Sequence, residues 1–282
     1  MDRRRFLAVA PALGLAARAV SDMPAEAEAL RAPTLPLEVF GVQLYTLRSA
    51  MADDVDGTLA VVAEIGYRQV EFAGLYNLSP PAMRQKLDNV GLSAVSSHHS
   101  VDEIRGNWGA FLESAQELGQ ALVVVPSIPQ SEQNAEGIRR VADDFNRAAA
   151  MARSAGLRFG YHNHSWEFEA LPDGTVMMDL LLERTDPSLV DWQMDIYWTV
   201  DGGGDPMAYL EREAGRVTSV HVKDRTGDGR MVDVGEGVID FATILPRAEE
   251  LGLRFALVEH DTPTDPIESI RKSYATLERL GL

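Results

Sequence analysis

Six histidines and the carboxylates around them carry the chemistry open to this chain. His98 and His99 stand side by side. Tyr161-His162-Asn163-His164 is followed closely by Glu167. His221-Val222-Lys223-Asp224 and Glu259-His260-Asp261 come later, and Glu71 and Asp195 sit in or at the end of short apolar runs. Imidazole exchanges protons near neutral pH, and with carboxylate it binds hard-to-borderline divalent ions. Residues two apart on an extended strand share a face, so His221 pairs with Lys223 and His162 with His164. The chain has no cysteine, which removes a thiolate metal site, a cysteine nucleophile and a disulfide framework. No compact motif such as His-Glu-x-x-His is present, so a site exists only if the fold gathers these segments.

The elements that must do so are legible. Short apolar runs predict strands at Phe40–Tyr45, Gln69–Phe72, Ser93–Ser97, Ala121–Val125, Arg158–His162, Val190–Met194, Ser219–Val222 and Arg254–Val258. Amphipathic segments alternate with them. Val55–Ile65, Pro80–Val90, Ala135–Ala155 and Phe241–Leu251 each run into a glycine (Gly66, Gly91, Gly156 and Gly252) and then a strand. Eight such units predict a (β/α)8 TIM barrel in a single domain over residues 37–282. A doubly wound sheet is the alternative, but Thr46-Leu47-Arg48-Ser49 after the first strand is no glycine-rich phosphate turn. In a TIM barrel, function collects at the C-terminal ends of the strands. All six histidines fall at the ends of strands three, five, seven and eight.

These segments, in this order, resemble the xylose-isomerase-like superfamily of sugar isomerases and epimerases, which also holds inosose dehydratases and AP-endonuclease-type barrels. The matching pieces are Gly41-Val42-Gln43-Leu44-Tyr45-Thr46-Leu47-Arg48, Val70-Glu71-Phe72-Ala73-Gly74, Tyr161-His162-Asn163-His164, His221-Val222-Lys223-Asp224 and Gly235-Glu236-Gly237. The resemblance implies one divalent ion held by Glu, Asp, His and Glu from strands five to eight. Asp195, His221 and Glu259 carry over directly. Strand five has Tyr161-His162 where many relatives have the first glutamate, so Glu167 takes that place, with His162 or His164 as the alternative. Three carboxylates and one imidazole favour Mn²⁺, with Mg²⁺, Co²⁺, Fe²⁺ or Zn²⁺ also accepted.

Each residue also has a plainer role to set beside this one. Asp195 could cap the helix that follows it, and Glu259 could pair with Lys223 or Arg225. Lys223 either stabilises substrate oxygen or balances the acidic rim. Glu259 or His162 is the expected base, and a hydrogen bond that orients a metal ligand is the other reading of His162 and His164. Glu71, His98, His164, Trp166 and Trp198 are the expected substrate contacts, although a tryptophan more often packs.

The chain carries 26 Lys and Arg against 43 Asp and Glu, a formal charge of −17, which argues against nucleic acid as a partner. Residues 1–19 begin with Arg3-Arg4-Arg5-Phe6-Leu7, an apolar run and Ala17-Arg18-Ala19. They read as a twin-arginine export signal, with an N-terminal anchor as the alternative. Residues 20–36 read as a flexible lead. Cleavage would leave no stable membrane insertion and a periplasmic or exported protein. The expected activity is a metal-dependent sugar isomerase or epimerase that removes a proton next to a carbonyl. A lyase acting on a keto-sugar or 3-keto-glycoside is the first alternative. A non-catalytic sugar-binding barrel is the second, and a phosphodiesterase of the AP-endonuclease type the third.

Overall fold

The computed structural model describes residues 40–281; the signal and lead segments read from the sequence lie outside them. Eight parallel strands close into one barrel in chain order. They are β1 (Gly41–Gln43), β2 (Gln69–Phe72), β3 (Ser93–His98), β4 (Leu122–Val125), β5 (Arg158–His162), β6 (Val190–Asp195), β7 (Val217–Val222) and β8 (Phe255–Val258), and β8 pairs with β1. The expected (β/α)8 fold is therefore observed. Strands β2 and β5 match their predicted limits. Strand β1 is shorter, because the chain turns at Leu44–Leu47.

Helices surround the barrel, and their apolar spacing explains why. In Ala135–Ser154 the buried positions Ile138, Val141, Ala142, Phe145, Ala148, Ala149 and Ala152 recur every three or four residues. That stripe covers the outward residues of β5, with Phe145 against Phe159 and Tyr161. Asn134 starts the helix by accepting a hydrogen bond from the Gly137 amide at 3.0 Å. Gly91 and Gly156 follow helices with φ of 71° and 76°, the left-handed region that favours glycine.

The barrel interior is layered. Val95, Leu122, Val124, Phe255 and Leu257 form a small apolar cluster of their own. Gln43, Glu71, Ser96, Gln193, Ser219 and His221 form a fully buried polar set. Because inward side chains alternate along a strand, the next inward residues of β6 and β8 are Asp195 and Glu259 at the rim. Beyond β7 a two-stranded ribbon joins Asp224–Arg225 to Met231–Val232. The Asp224 carboxylate accepts hydrogen bonds from the amides of Gly235, Gly237 and Ile239 at 2.9, 3.0 and 3.2 Å. It fixes the loop beside Lys223, and a Cβ on Gly237 would lie 2.2 Å from its Oδ1.

Candidate metal centre and substrate pocket

Strand ends bring three expected ligands together. Single donor atoms of Asp195, His221 and Glu259 lie within 4.8 Å of one another, and all three residues are buried. Asp195 serves two purposes. Its Oδ1 caps the next helix by accepting from the Trp198 amide at 2.9 Å, while Oδ2 makes no hydrogen bond of good geometry. Both readings of this residue are thus compatible. His221 Nδ1 lies 3.9 Å from Asp195 Oδ2 and 2.7 Å from Glu259 Oε2. A buried carboxylate pair and an imidazole whose donor atoms lie this close suit a divalent cation.

Lys223 enters the same space. Its ammonium lies 2.9 Å from Asp195 Oδ2, 2.7 Å from Glu259 Oε2 and 2.8 Å from Asp261 Oδ1. Burial alone would lower its pKa; Asp195, Glu259 and Asp261 overcome this and hold it well above the ordinary lysine value. Burial lifts Asp195 to about 6, although Lys223 and His221 pull the other way. Burial would raise Glu259 too, but Lys223 and His221 keep it well below the usual carboxylate range, which makes it a weak base.

Glu71 does not stand at the mouth as a substrate contact. Its carboxylate is fully buried, one layer below the rim. It accepts from Gln43 Nε2 at 2.8 Å, Ser96 Oγ at 2.5 Å and Gln193 Nε2 at 2.7 Å, and His221 Nε2 lies 2.7 Å away. His98 Nε2 sits 3.1 Å from the same carboxylate and 3.0 Å from Gln193 Oε1. Burial would raise Glu71, but His98 and His221 hold it well below its usual value.

Glu167 is not gathered into the carboxylate–imidazole cluster. A short helical turn, Trp166–Phe168, carries it to where Tyr161 Oη donates to Oε1 at 2.5 Å. The His164 amide donates to Oε2 at 2.9 Å, so both oxygens are engaged. Burial raises its pKa to about 7 despite these bonds.

Above the cluster lies a cavity of about 490 Å³, walled by Tyr45, His98, His162, His164, Trp198 and Lys223 among others. Trp198 is a wall residue, whereas Trp166 packs against the core. His164 Nδ1 and Trp198 Nε1 are buried without a hydrogen-bond partner. Burial lowers His164 to about 4, with Lys223 adding to the effect, so the ring is neutral at neutral pH. Sequence reasoning left Asp261 and Gln193 without a role. Asp261 was visible as a carboxylate two residues past Glu259, but its contact with Lys223 depends on the turn after β8. Among the described residues no helix is long and apolar enough to cross a membrane.

The closed barrel with carboxylates and imidazoles on one rim defines a class, and the comparisons agree with it. Residues 59–280 match the xylose isomerase-like TIM barrel family, and the chain belongs to that family. It is 26% identical over 271 residues to an inosose dehydratase of Geobacillus kaustophilus, covering 79% of this chain and 85% of that protein. An inosose dehydratase of Clostridium beijerinckii is 25% identical, covering 67% and 76%. The crystal structure of a sugar phosphate isomerase/epimerase from Parabacteroides distasonis superposes with a TM-score of 0.78 at 28% identity, covering 88% of this chain and 96% of that one.

Proposed function

We propose that this chain is a divalent-metal-dependent lyase that eliminates water, or another β-substituent, from a keto-polyol or keto-sugar. The observation that carries this reading is an acid–base contrast within one pocket. A buried ammonium, Lys223, and a neutral, unpartnered imidazole, His164, line the same cavity beside Asp195, His221 and Glu259. The relatives named inosose dehydratase support elimination from a polyhydroxylated ketone. The elimination therefore replaces isomerisation as the first reading.

A divalent ion held by Asp195, His221 and Glu259 would supply Lewis-acid polarisation of the substrate carbonyl. His164 accepts the proton from the carbon next to that carbonyl: its neutral ring borders the cavity, whereas Glu259 is already paired with Lys223 and His221. The C–H electron pair becomes the new C=C bond as the bond to the β-hydroxyl breaks. The departing oxygen takes that proton from the His164 imidazolium and leaves as water, which returns His164 to its neutral form. Lys223, held by Asp195, Glu259 and Asp261, faces the negative charge that develops on substrate oxygen.

An epimerase or isomerase is the second reading, favoured by the Parabacteroides structural neighbour. The cavity wall carries one lysine and no arginine among the described residues, and that lysine is already paired with carboxylates, so an unphosphorylated substrate fits better. Mass spectrometry of a cyclic keto-polyol incubated with the metal-loaded protein separates the readings. Loss of one water supports the lyase. Rearrangement at constant mass supports the epimerase. The arginine pair at the N-terminus supports export by the twin-arginine route, which favours free keto-sugars as substrates.

A further inference from the structure

Strand alternation decides which strand-five side chain faces the centre. Phe159 and Tyr161 point outward and pack on Phe145, at 5.5 and 5.4 Å between ring centroids. His162 is therefore the inward residue at the C-terminal end of β5. Its side chain is 3% exposed, and its Nε2 lies 3.8 Å from Asp195 Oδ2. Its Nδ1 has no hydrogen-bond partner, and its ring centre is 4.5 Å from that of His221. Asp195 Oδ2 thus faces His162 at 3.8 Å and His221 at 3.9 Å, with the Lys223 ammonium 2.9 Å away on the same oxygen. Donors bound to one ion at about 2.0–2.2 Å are separated by roughly 3–4 Å, which matches these spacings. Glu167 is not free to take this place, since Tyr161 and His164 engage both its oxygens.

We infer that His162 is the strand-five metal ligand and that the centre holds a late first-row ion, Fe²⁺, Co²⁺ or Zn²⁺, in preference to Mn²⁺ or Mg²⁺. This rests on the metal-dependent reading above and adds the donor set and the class of ion. His162 groups with His221 and His98, and Asp195 and Glu259 group with the same His221, so the proposed set of two nitrogens and two carboxylates joins these neighbouring groups through His221. Imidazole favours zinc, iron and cobalt, whereas carboxylate-rich sites suit magnesium and manganese. His98 approaches the same imidazoles, but Gln193 and Glu71 hold its Nε2.

The test strips the purified full chain with a chelator and titrates it with Mn²⁺, Co²⁺ and Zn²⁺, alone and in competition. The wild type is expected to bind one equivalent, with Zn²⁺ about a hundredfold or more tighter than Mn²⁺. His162→Glu restores three carboxylates, so the Zn²⁺-over-Mn²⁺ ratio should fall about tenfold or more while one equivalent still binds. His162→Gln provides a second variant with its fold checked by circular dichroism, and it should weaken Zn²⁺ by more than the roughly 10–100-fold that losing a group behind a ligand costs. Glu167→Gln should change neither stoichiometry nor preference. An unchanged Zn²⁺/Mn²⁺ ratio in His162→Glu, or loss of metal in Glu167→Gln, would overturn the assignment. A protein with the expected metal preference but no turnover of any keto-sugar would sink the lyase reading and leave this inference standing.

Discussion

Glu71 Oε1 lies 2.7 Å from Nε2 of His221, while the other ring nitrogen, Nδ1, lies 2.7 Å from Glu259. The glutamate thereby sets which nitrogen faces the rim. A carboxylate behind a metal-binding imidazole fixes its tautomer and raises its basicity. Glu71→Gln is expected to weaken metal binding by about 10–100-fold, read by titration of the stripped protein. Glu71→Ala should also lower stability, because Gln43, Ser96 and Gln193 lose a buried acceptor. Unchanged metal affinity in Glu71→Gln would assign Glu71 to packing alone.

Lys223 occupies space that a metal must share, since its ammonium contacts Asp195 and Glu259. Lys223→Met removes a competing charge and keeps most of the volume. It is expected to tighten metal binding about tenfold or more, from the Coulomb repulsion removed. Turnover should fall about a hundredfold or more, because the group facing developing negative charge is gone. Tighter binding with full activity would reduce Lys223 to charge balance.

His99 gives a pH signature. Its ring is buried against Trp108 and Phe111, 2.7 Å from Ser97 Oγ and 4.0 Å from Glu103, next to His98. Burial lowers its pKa to about 4, against the upward pull of Glu103. The unfolded ring takes up its proton nearer 6.5, so the unfolded state binds more protons between these values. The contribution to stability is present above pH 6.5 and is lost as pH falls toward 4. Thermal melts should show His99→Gln with a shallower decline across that window. Parallel curves would place the acid sensitivity elsewhere, for example at His164.

Leu257 lies in the apolar layer beneath the site, with its Cδ2 2.4 Å from where a Cβ on Gly41 would stand. Leu257→Ala should cost about 2–5 kcal/mol in chemical denaturation. Gly41→Ala should also destabilise, since the close approach leaves no room for a methyl group.

Replacing Arg3 and Arg4 together by lysine should keep the protein in the cytoplasm, as read by cell fractionation. Unchanged export would dismiss the twin-arginine assignment.

The barrel was legible in the sequence because each βα unit carries its own punctuation. Gly91 and Gly156 end helices and start strands, and the limits of β2 and β5 follow from apolar runs alone. Strand ends placed Asp195, His221 and Glu259 on one rim, and the family resemblance singled them out as a set. Glu71 did not, because its depth depends on how neighbouring strands are staggered. Gln43, Ser96 and Gln193 converge on it from β1, β3 and β6. Glu167 was beyond sequence reasoning for another reason. One short turn decides whether it reaches the rim or Tyr161, and its distance along the chain from His162 carries no such information.

The most direct test of the account is α-proton exchange. The full chain, stripped and then reloaded with one equivalent of Zn²⁺ or Co²⁺, is incubated with a cyclic keto-polyol in D₂O and followed by NMR and mass spectrometry. The account predicts loss of the signal next to the carbonyl and loss of one water, both abolished by the chelator. A metal-loaded protein that leaves that proton in place for every keto-sugar tried would contradict it.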